Sequence, residues 1–134
     1  MRRVLVCSVL VLALSACAST PRHPRSEFED IPVPKGLALD SDKSTVIETP
    51  TVKAARLVYK GRIELDSLGV AFRSTLEANG WRHLASTTSA DKGITQVYDK
   101  SGNSLQVMIY EGLYYTWVEL SAARTSAPAT SQIR

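Results

Sequence analysis

The thiol of Cys17 is a potential nucleophile, and the residues around it indicate its chemistry. Two arginines occupy positions 2–3, and an apolar run of eleven residues extends from Val4 to Leu14. This run is too short to span a membrane, which takes roughly 20 residues, so it predicts a cleaved signal peptide. It closes with Leu14-Ser15-Ala16-Cys17, in which small side chains before the cysteine would let the backbone enter a protease cleft.

These four residues resemble the lipobox of bacterial lipoprotein precursors. The resemblance implies a diacylglyceryl group on Cys17, cleavage after Ala16 and acylation of the new amino terminus. Two or three acyl chains anchor a protein stably, whereas one chain would not. In lipoproteins of two-membrane bacteria, an aspartate directly after the cysteine is associated with retention in the inner membrane. Ala18 occupies this position, so the resemblance favours the outer membrane, with a periplasm-facing domain. The alternative is an ordinary secretory peptide or short anchor, with Cys17 incidental.

Composition restricts the remaining possibilities. At 134 residues the chain has room for a single domain. Cys7 would leave with residues 1–16, so no disulfide could form in the processed chain. The two arginines would leave as well, and basic residues would then exceed the 13 acidic ones by one. Without a basic stripe, the sequence predicts no nucleic-acid binding.

The residue types needed for catalysis are scarce. The processed chain would contain no free cysteine or serine motif with which His83 could form a catalytic site. His83 is therefore predicted to be a surface or partly packed side chain. Glu64 and Asp66 could form a carboxylate pair, but Asp66 fits better as a helix cap. Asp40-Ser41-Asp42 lacks the glycine and distal glutamate of a calcium loop, and His23 lies alone between prolines. The sequence therefore predicts no enzyme, no catalytic residue, no metal and no cofactor.

Three segments are expected after the signal peptide. Residues 17–30 contain the lipidated cysteine and a polar, proline-bearing linker, since they show no helical or strand periodicity. Residues 31–122 form the folded domain. Residues 123–134, rich in Ser, Thr, Ala and Pro, form a disordered tail.

Within the domain, the pattern predicts an α+β fold with one helix packed on a mostly antiparallel sheet, in the order β-β-α-β-β-β-β. The helix is expected from Ser67 to Asn79, with Asp66 as N-cap, a staple between Leu65 and Val70, and Gly80 as the stop. The strands are expected at 45–48, 52–60, 81–86, 94–99, 105–110 and 113–121. A loop is expected at 87–93, and turns at Lys100–Asn103 and Glu111–Gly112.

Three short motifs carry a second resemblance: Ile31-Pro32-Val33-Pro34-x-Gly36, Tyr59-x-Gly61 and Asn79-Gly80-Trp81. Their spacing is similar to that in a family of small, uncharacterised proteobacterial lipoproteins. The resemblance supports the compartment and the domain boundaries, and it implies no catalytic residues.

One face of the sheet is the candidate binding surface. Alternation directs Leu105, Val107 and Ile109 toward the helix, and it directs Met108 and Tyr110 away. Tyr115 and Trp117 are expected on that outer side. The face could be covered by the segment Ile31–Leu39, with Val118 and Leu120 completing an ordinary core, or it could be a recognition surface.

Two functions fit these observations. The leading hypothesis is a lipid-anchored, non-catalytic interaction or structural subunit of the cell envelope. The alternative is a peptidoglycan-binding or hydrolytic accessory protein that uses Trp117 and Tyr115 to stack on sugars, beside Glu119.

Overall fold

The computed structural model describes Phe28 and residues 30–125. Predictions about the signal peptide, Cys17, His23 and residues 126–134 lie outside this part of the chain. The described part contains one helix and one seven-stranded sheet. The strands are β1 (Ala38–Leu39), β2 (Thr45–Glu48), β3 (Val52–Gly61), β4 (Arg82–Ser89), β5 (Gly93–Lys100), β6 (Asn103–Glu111) and β7 (Thr116–Thr125), and the helix is α1 (Leu65–Ala78).

The sheet is antiparallel throughout, with the strand order β1-β3-β7-β6-β5-β4 and with β2 also paired to β3. After β3, the chain passes through α1 to β4 at the opposite edge. The hairpins β4-β5, β5-β6 and β6-β7 then return strand by strand to β3. The predicted α+β class is confirmed. The two-residue β1 was not predicted, because it is defined by its pairing with Tyr59 and Lys60 rather than by a local pattern.

The start of α1 differs from the prediction. The N-cap is Glu64, whose carboxylate accepts hydrogen bonds from the backbone N–H groups of Asp66 (2.9 Å) and Ser67 (2.7 Å). Asp66 is therefore in the first turn, and its prediction as N-cap was wrong. A hydrogen bond with the Ser67 side chain, and then these two backbone hydrogen bonds, lower the pKa of the Glu64 carboxyl. Val70 is 71% exposed, so it forms no buried staple with Leu65.

The end of α1 is as predicted. Gly80 has a φ of +84°, in the left-handed region that favours glycine. Its N–H donates to the carbonyl of Glu77, and the N–H of Trp81 donates to that of Leu76. These two bonds satisfy carbonyls that the helix end would otherwise leave unpaired.

The predicted strand limits change at three places. Residues 87–89, expected in a loop, extend β4 by pairing with Gly93–Thr95. Residues 113–115, expected in a strand, form a turn closed by a hydrogen bond from Gly112 N–H to the Tyr115 carbonyl (2.8 Å). Strand β7 continues to Thr125, so residues 123–125 of the predicted tail belong to the sheet. The turn at Lys100–Asn103 is as expected.

A single core lies between α1 and the sheet. Leu68, Phe72 and Leu76 of the helix are fully buried there. They contact the inward side chains of the sheet: Ala55, Leu57, Ile94, Tyr98, Leu105, Val107, Ile109, Val118, Leu120 and Ala122. The inward direction predicted for three residues of β6 is confirmed.

The N-terminal segment joins this core rather than the outer face of the sheet. Phe28 is 1% exposed and Ile31 is 4% exposed, and both belong to the helix-side cluster. Val33 and Leu37 pack against the same cluster. Phe28, assigned to the linker by its polar neighbours, is therefore part of the folded unit. A contact between Asp30 and Arg124 (2.5 Å) holds this segment at the end of β7.

A buried polar chain joins the helix to the sheet. The Tyr98 hydroxyl donates to the side-chain oxygen of Gln96 (2.8 Å), and the Gln96 amide donates to the carbonyl of Gly69 in α1 (3.1 Å). Tyr98 is fully buried. Burial is the main cause that raises its pKa to about 12, with a smaller contribution from Glu77.

This raised pKa predicts a loss of stability in alkali. The folded state holds the Tyr98 proton more tightly than the unfolded state, so the stabilisation is complete below the unfolded pKa of roughly 10. It is lost as pH rises from 10 to about 12. Over that range we expect the unfolding free energy of the native chain to fall by roughly 2–3 kcal/mol more than that of Tyr98→Phe. Urea titrations at each pH measure the difference, and parallel pH profiles would contradict it.

Candidate interaction face of the sheet

The candidate surface is the outer face of the sheet, on the side away from α1. Met108 and Tyr110 point to this face as predicted, and both are half-buried. Trp117 of β7 lies directly opposite Tyr110 in the strand register, so the structure brings these two rings to the same place. Tyr115 precedes β7 in the turn and is 38% exposed. The four predicted residues therefore occupy one end of the sheet.

Trp117 is held by its surroundings more firmly than a freely presented ring would be. The Lys43 ammonium lies 3.7 Å from the centroid of its ring, so it covers one face. At the ring edge, a Cβ added to Gly112 would approach Trp117 Nε1 to 2.6 Å. A side chain at position 112 would therefore force the indole or the turn to shift.

Cations and aromatic rings alternate across this end of the sheet. Arg62 lies 5.5 Å from the centroid of Tyr115, and Lys60 lies 6.0 Å from the same centroid. Lys60 also lies 5.7 Å from the centroid of Trp117, whose face Lys43 covers. We call the row Arg62, Tyr115, Lys60, Trp117 and Lys43 the cation–aromatic ladder. Each cation in it is within reach of a ring quadrupole.

Sequence reasoning did not identify the three cations of the ladder. Lys60 is placed beside Trp117 by the register of β3 on β7, more than fifty residues apart in the chain. Lys43 arrives from the 3-10 turn at Ser41–Lys43, which lies against β3. No local pattern encodes either approach. Asp40 precedes this turn and Asp42 lies within it, and Asp40 forms an ion pair with Lys60 (3.3 Å).

Glu119 forms an ion pair on the same face. Its two oxygens accept from Arg56 Nη2 at 2.6 Å and from Arg56 Nε at 2.8 Å. The Tyr110 hydroxyl donates to Glu119 at 3.4 Å. Burial, and then the Glu119 charge, raise the pKa of Tyr110, and Glu119 raises the pKa of Arg56. One guanidinium thus engages both oxygens of Glu119 in a bidentate ion pair.

The turn beside the ladder presents an exposed apolar tip. Leu113 is 89% exposed and Tyr114 is 76% exposed. The turn itself is fixed by the Gly112–Tyr115 backbone bond and by a 2.6 Å hydrogen bond from the Thr116 hydroxyl to the Ile63 carbonyl. The tip is thus an apolar surface on a well-supported loop. This exposed tip was not predicted, because residues 113–115 were expected to belong to the strand at 113–121.

A cleft of about 770 Å³ adjoins the outer face next to Met108 and Tyr110. Its other walls are the helix start at Glu64–Asp66 and the hairpin residues 88–93. A shallower apolar trough of about 680 Å³ lies toward the opposite end of the sheet. Its lining includes the small residues Ala54, Ser104, Ser121 and Ala123.

Within residues 28 and 30–125, no cluster of His, Cys, Asp or Glu could hold a metal ion. The same range contains no helix that is long and apolar enough to cross a membrane. His83 packs edge-on against Tyr98, with 5.3 Å between ring centroids, and its Nε2 lies 2.8 Å from the Ser86 hydroxyl.

No protein-family model, curated protein sequence or solved structure matches this chain.

Proposed function

We propose that this protein is a lipid-anchored, non-catalytic subunit of the cell envelope that binds a partner protein through the tip end of its sheet. The observation that supports this proposal is the combination, at one place, of the exposed Leu113 and Tyr114 with the cation–aromatic ladder. Exposed aromatic and apolar side chains on a supported loop, with an arginine such as Arg62 beside them, are typical of protein interfaces.

The position at which the N-terminal segment joins the domain supports the same proposal. The N-terminal segment enters at Phe28 and Asp30, beside Arg124 near the end of β7. Trp117 lies seven residues earlier in β7, about 23 Å away at the strand rise. A tether attached at Cys17 thus reaches the domain at the end opposite the tip. This geometry presents the tip away from the anchored end.

Cys17→Ala tests the anchor. Because both acylation and lipoprotein cleavage depend on the thiol, we expect an unprocessed precursor that stays at the inner membrane. Metabolic labelling with a palmitate analogue and the mobility of the product on gels measure the two steps. Cys7→Ala is the matched control and should be processed normally. A mature-sized, acylated Cys17→Ala product would contradict the lipobox.

Paired substitutions test the tip. We expect Leu113→Ser with Tyr114→Ser to abolish crosslinking to a specific envelope protein, with thermal stability unchanged because both side chains are exposed. Val70→Ser, at a valine on α1 that is also largely exposed, is the control and should leave the crosslink intact. In parallel, the same variants are cosedimented with purified sacculi. Tip-dependent binding to sacculi would favour the glycan-binding alternative and contradict a protein partner.

Trp117→Ala separates binding from folding at the ladder. With its ring half-buried under Lys43, we expect a smaller loss of stability than for a fully buried aromatic residue. If the ladder contacts the partner, the loss of binding should be at least tenfold, as for an interface hot spot of about 2 kcal/mol. Thermal denaturation measures the loss of stability, and the crosslinking assay measures the loss of binding. Unchanged capture with a large loss of stability would assign Trp117 to the core.

A further inference from the structure

Strand β4 forms a long edge of the sheet. It ends the strand order and pairs on one side only, with β5. Residues 84–88 are exposed, and within the described residues no other segment pairs with its free side. Every second residue of such an edge directs its N–H and C=O groups outward, where they can pair with another strand.

The usual protection of an edge strand is missing from most of β4. Proteins block edges with lysine, proline, inward charges, bulges or very short strands. In β4 the one fully charged side chain is Arg82, which is engaged by Asp99 of β5 at 2.7 and 2.8 Å. A bulge lies between His83 and Ala85. Beyond it, five residues from Ala85 to Ser89 pair regularly with β5, without a charge, a proline or a further irregularity.

The other edge of the sheet is built differently. There the edge of β3 is covered by two short pieces, β1 of two residues and β2 of four residues, with a 3-10 turn between them. The Asp40 N–H donates to the Val58 carbonyl, and the Val58 N–H donates to the Ser44 hydroxyl, so the gap between the pieces is closed as well. Short, interrupted strands are poor templates for pairing. The two edges therefore differ in their readiness to accept a strand.

We propose that β4 pairs antiparallel with β4 of a second copy of this chain, joining two sheets into one. The segment Ala85-Ser86-Thr87-Thr88-Ser89 is suited to pair with itself. A two-fold axis through Thr87, perpendicular to the sheet, would place Thr87 opposite its own copy, Ser86 opposite Thr88 and Ala85 opposite Ser89. All of these side chains are small and neutral, so no like charges oppose each other, and threonine pairs across strands favourably.

The faces of the strands are consistent with this axis. Ser86 and Thr88 are aligned with the inward residues Gln96 and Ile94 of β5, whereas Thr87 is aligned with Thr95 on the outer face. Residues paired about the axis would lie on the same face, as antiparallel pairing requires. Leu84, which is 52% exposed beside this segment, would lie next to the contact. The pairing uses neither the tip nor the ladder and does not depend on the proposed partner.

Disulfide trapping tests the two-fold contact. In the full chain with Cys7→Ser and Cys17→Ser, Thr87→Cys introduces the single thiol, and Ile47→Cys on β2 is the matched exposed control at the opposite edge. Antiparallel partners lie close enough for a disulfide. After mild oxidation of the detergent-purified protein, we expect the Thr87→Cys dimer to form at least about tenfold faster than the Ile47→Cys dimer. Equal rates would overturn the proposal.

A charge at the axis provides a second, independent test. Thr87→Lys would place two ammonium groups opposite each other, and we expect it to weaken self-association about tenfold, measured by analytical ultracentrifugation across a concentration series. Thr87→Val keeps the strand propensity without the charge and should leave association unchanged. If Thr87→Lys does not fold by circular dichroism, the cysteine comparison alone decides. The proposal would be overturned if the native chain is monomeric at every concentration, or if Thr87→Lys leaves the dissociation constant of the dimer unchanged.

Discussion

Replacing Phe72 with alanine is expected to lower the free energy of unfolding by about 3–5 kcal/mol. The ring is fully buried between α1 and the sheet. Its removal would lose apolar burial and leave a cavity that the surrounding strands could fill only in part. Since small domains have about 5–15 kcal/mol of stability in total, much of the fold would be lost at physiological temperature.

The matched control for this prediction lies two residues earlier on the same helix. Val70 is 71% exposed, so we expect Val70→Ala to change stability by less than about 0.5 kcal/mol. Urea unfolding followed by circular dichroism, with m-values compared, measures both variants. Similar losses for the two substitutions would show that the helix does not bury the face assigned to it.

Gly93→Ala is expected to lower the free energy of unfolding at least as much as Phe72→Ala, because the added Cβ would clash with the backbone of β6. Gly93 has a φ of +77°, and a Cβ there would lie 2.0 Å from the Ile109 carbonyl oxygen in β6. That carbonyl cannot move aside without disturbing the pairing of β5 with β6. We expect a loss of at least about 4 kcal/mol, or failure to fold.

Gly102 offers a control with almost the same backbone conformation. Its φ is +79°, but a Cβ there would meet nothing within 4 Å. Gly102→Ala should therefore cost about 1–2 kcal/mol, the strain of the left-handed conformation alone. The difference between the two alanine variants isolates the steric clash. Equal unfolding free energies would mean that the β4-β5 hairpin does not approach β6 as closely as described.

The candidate site was predictable only in part. Strand alternation placed Met108, Tyr110 and Trp117 on the outer face, and the register of β6 with β7 puts Tyr110 and Trp117 opposite each other. Tyr115 was predicted in a strand and lies in a turn. The cations that complete the ladder come from β3, the residue after it and a 3-10 turn. Their approach depends on long-range pairing that no local window contains.

The sequence alone determined the features that arise from nearest neighbours along the chain. Alternating residues specified the buried face of β6, and Gly80 specified the end of α1, because side-chain direction and backbone freedom are local properties. The position of Cys17 after a short apolar run belongs to the same class and remains a prediction.

Tertiary structure decided which parts of the chain meet. Phe28 was assigned to the linker because its neighbours in the sequence are polar, whereas the structure buries it in the helix-side core. That burial releases free energy only when distant segments come together, so the residues next to Phe28 gave no sign of it. The sequence pattern identified Tyr115 and Trp117 as candidate residues of the ladder. It could not predict that Lys60 lies between them, because that position depends on the antiparallel register of β3 on β7.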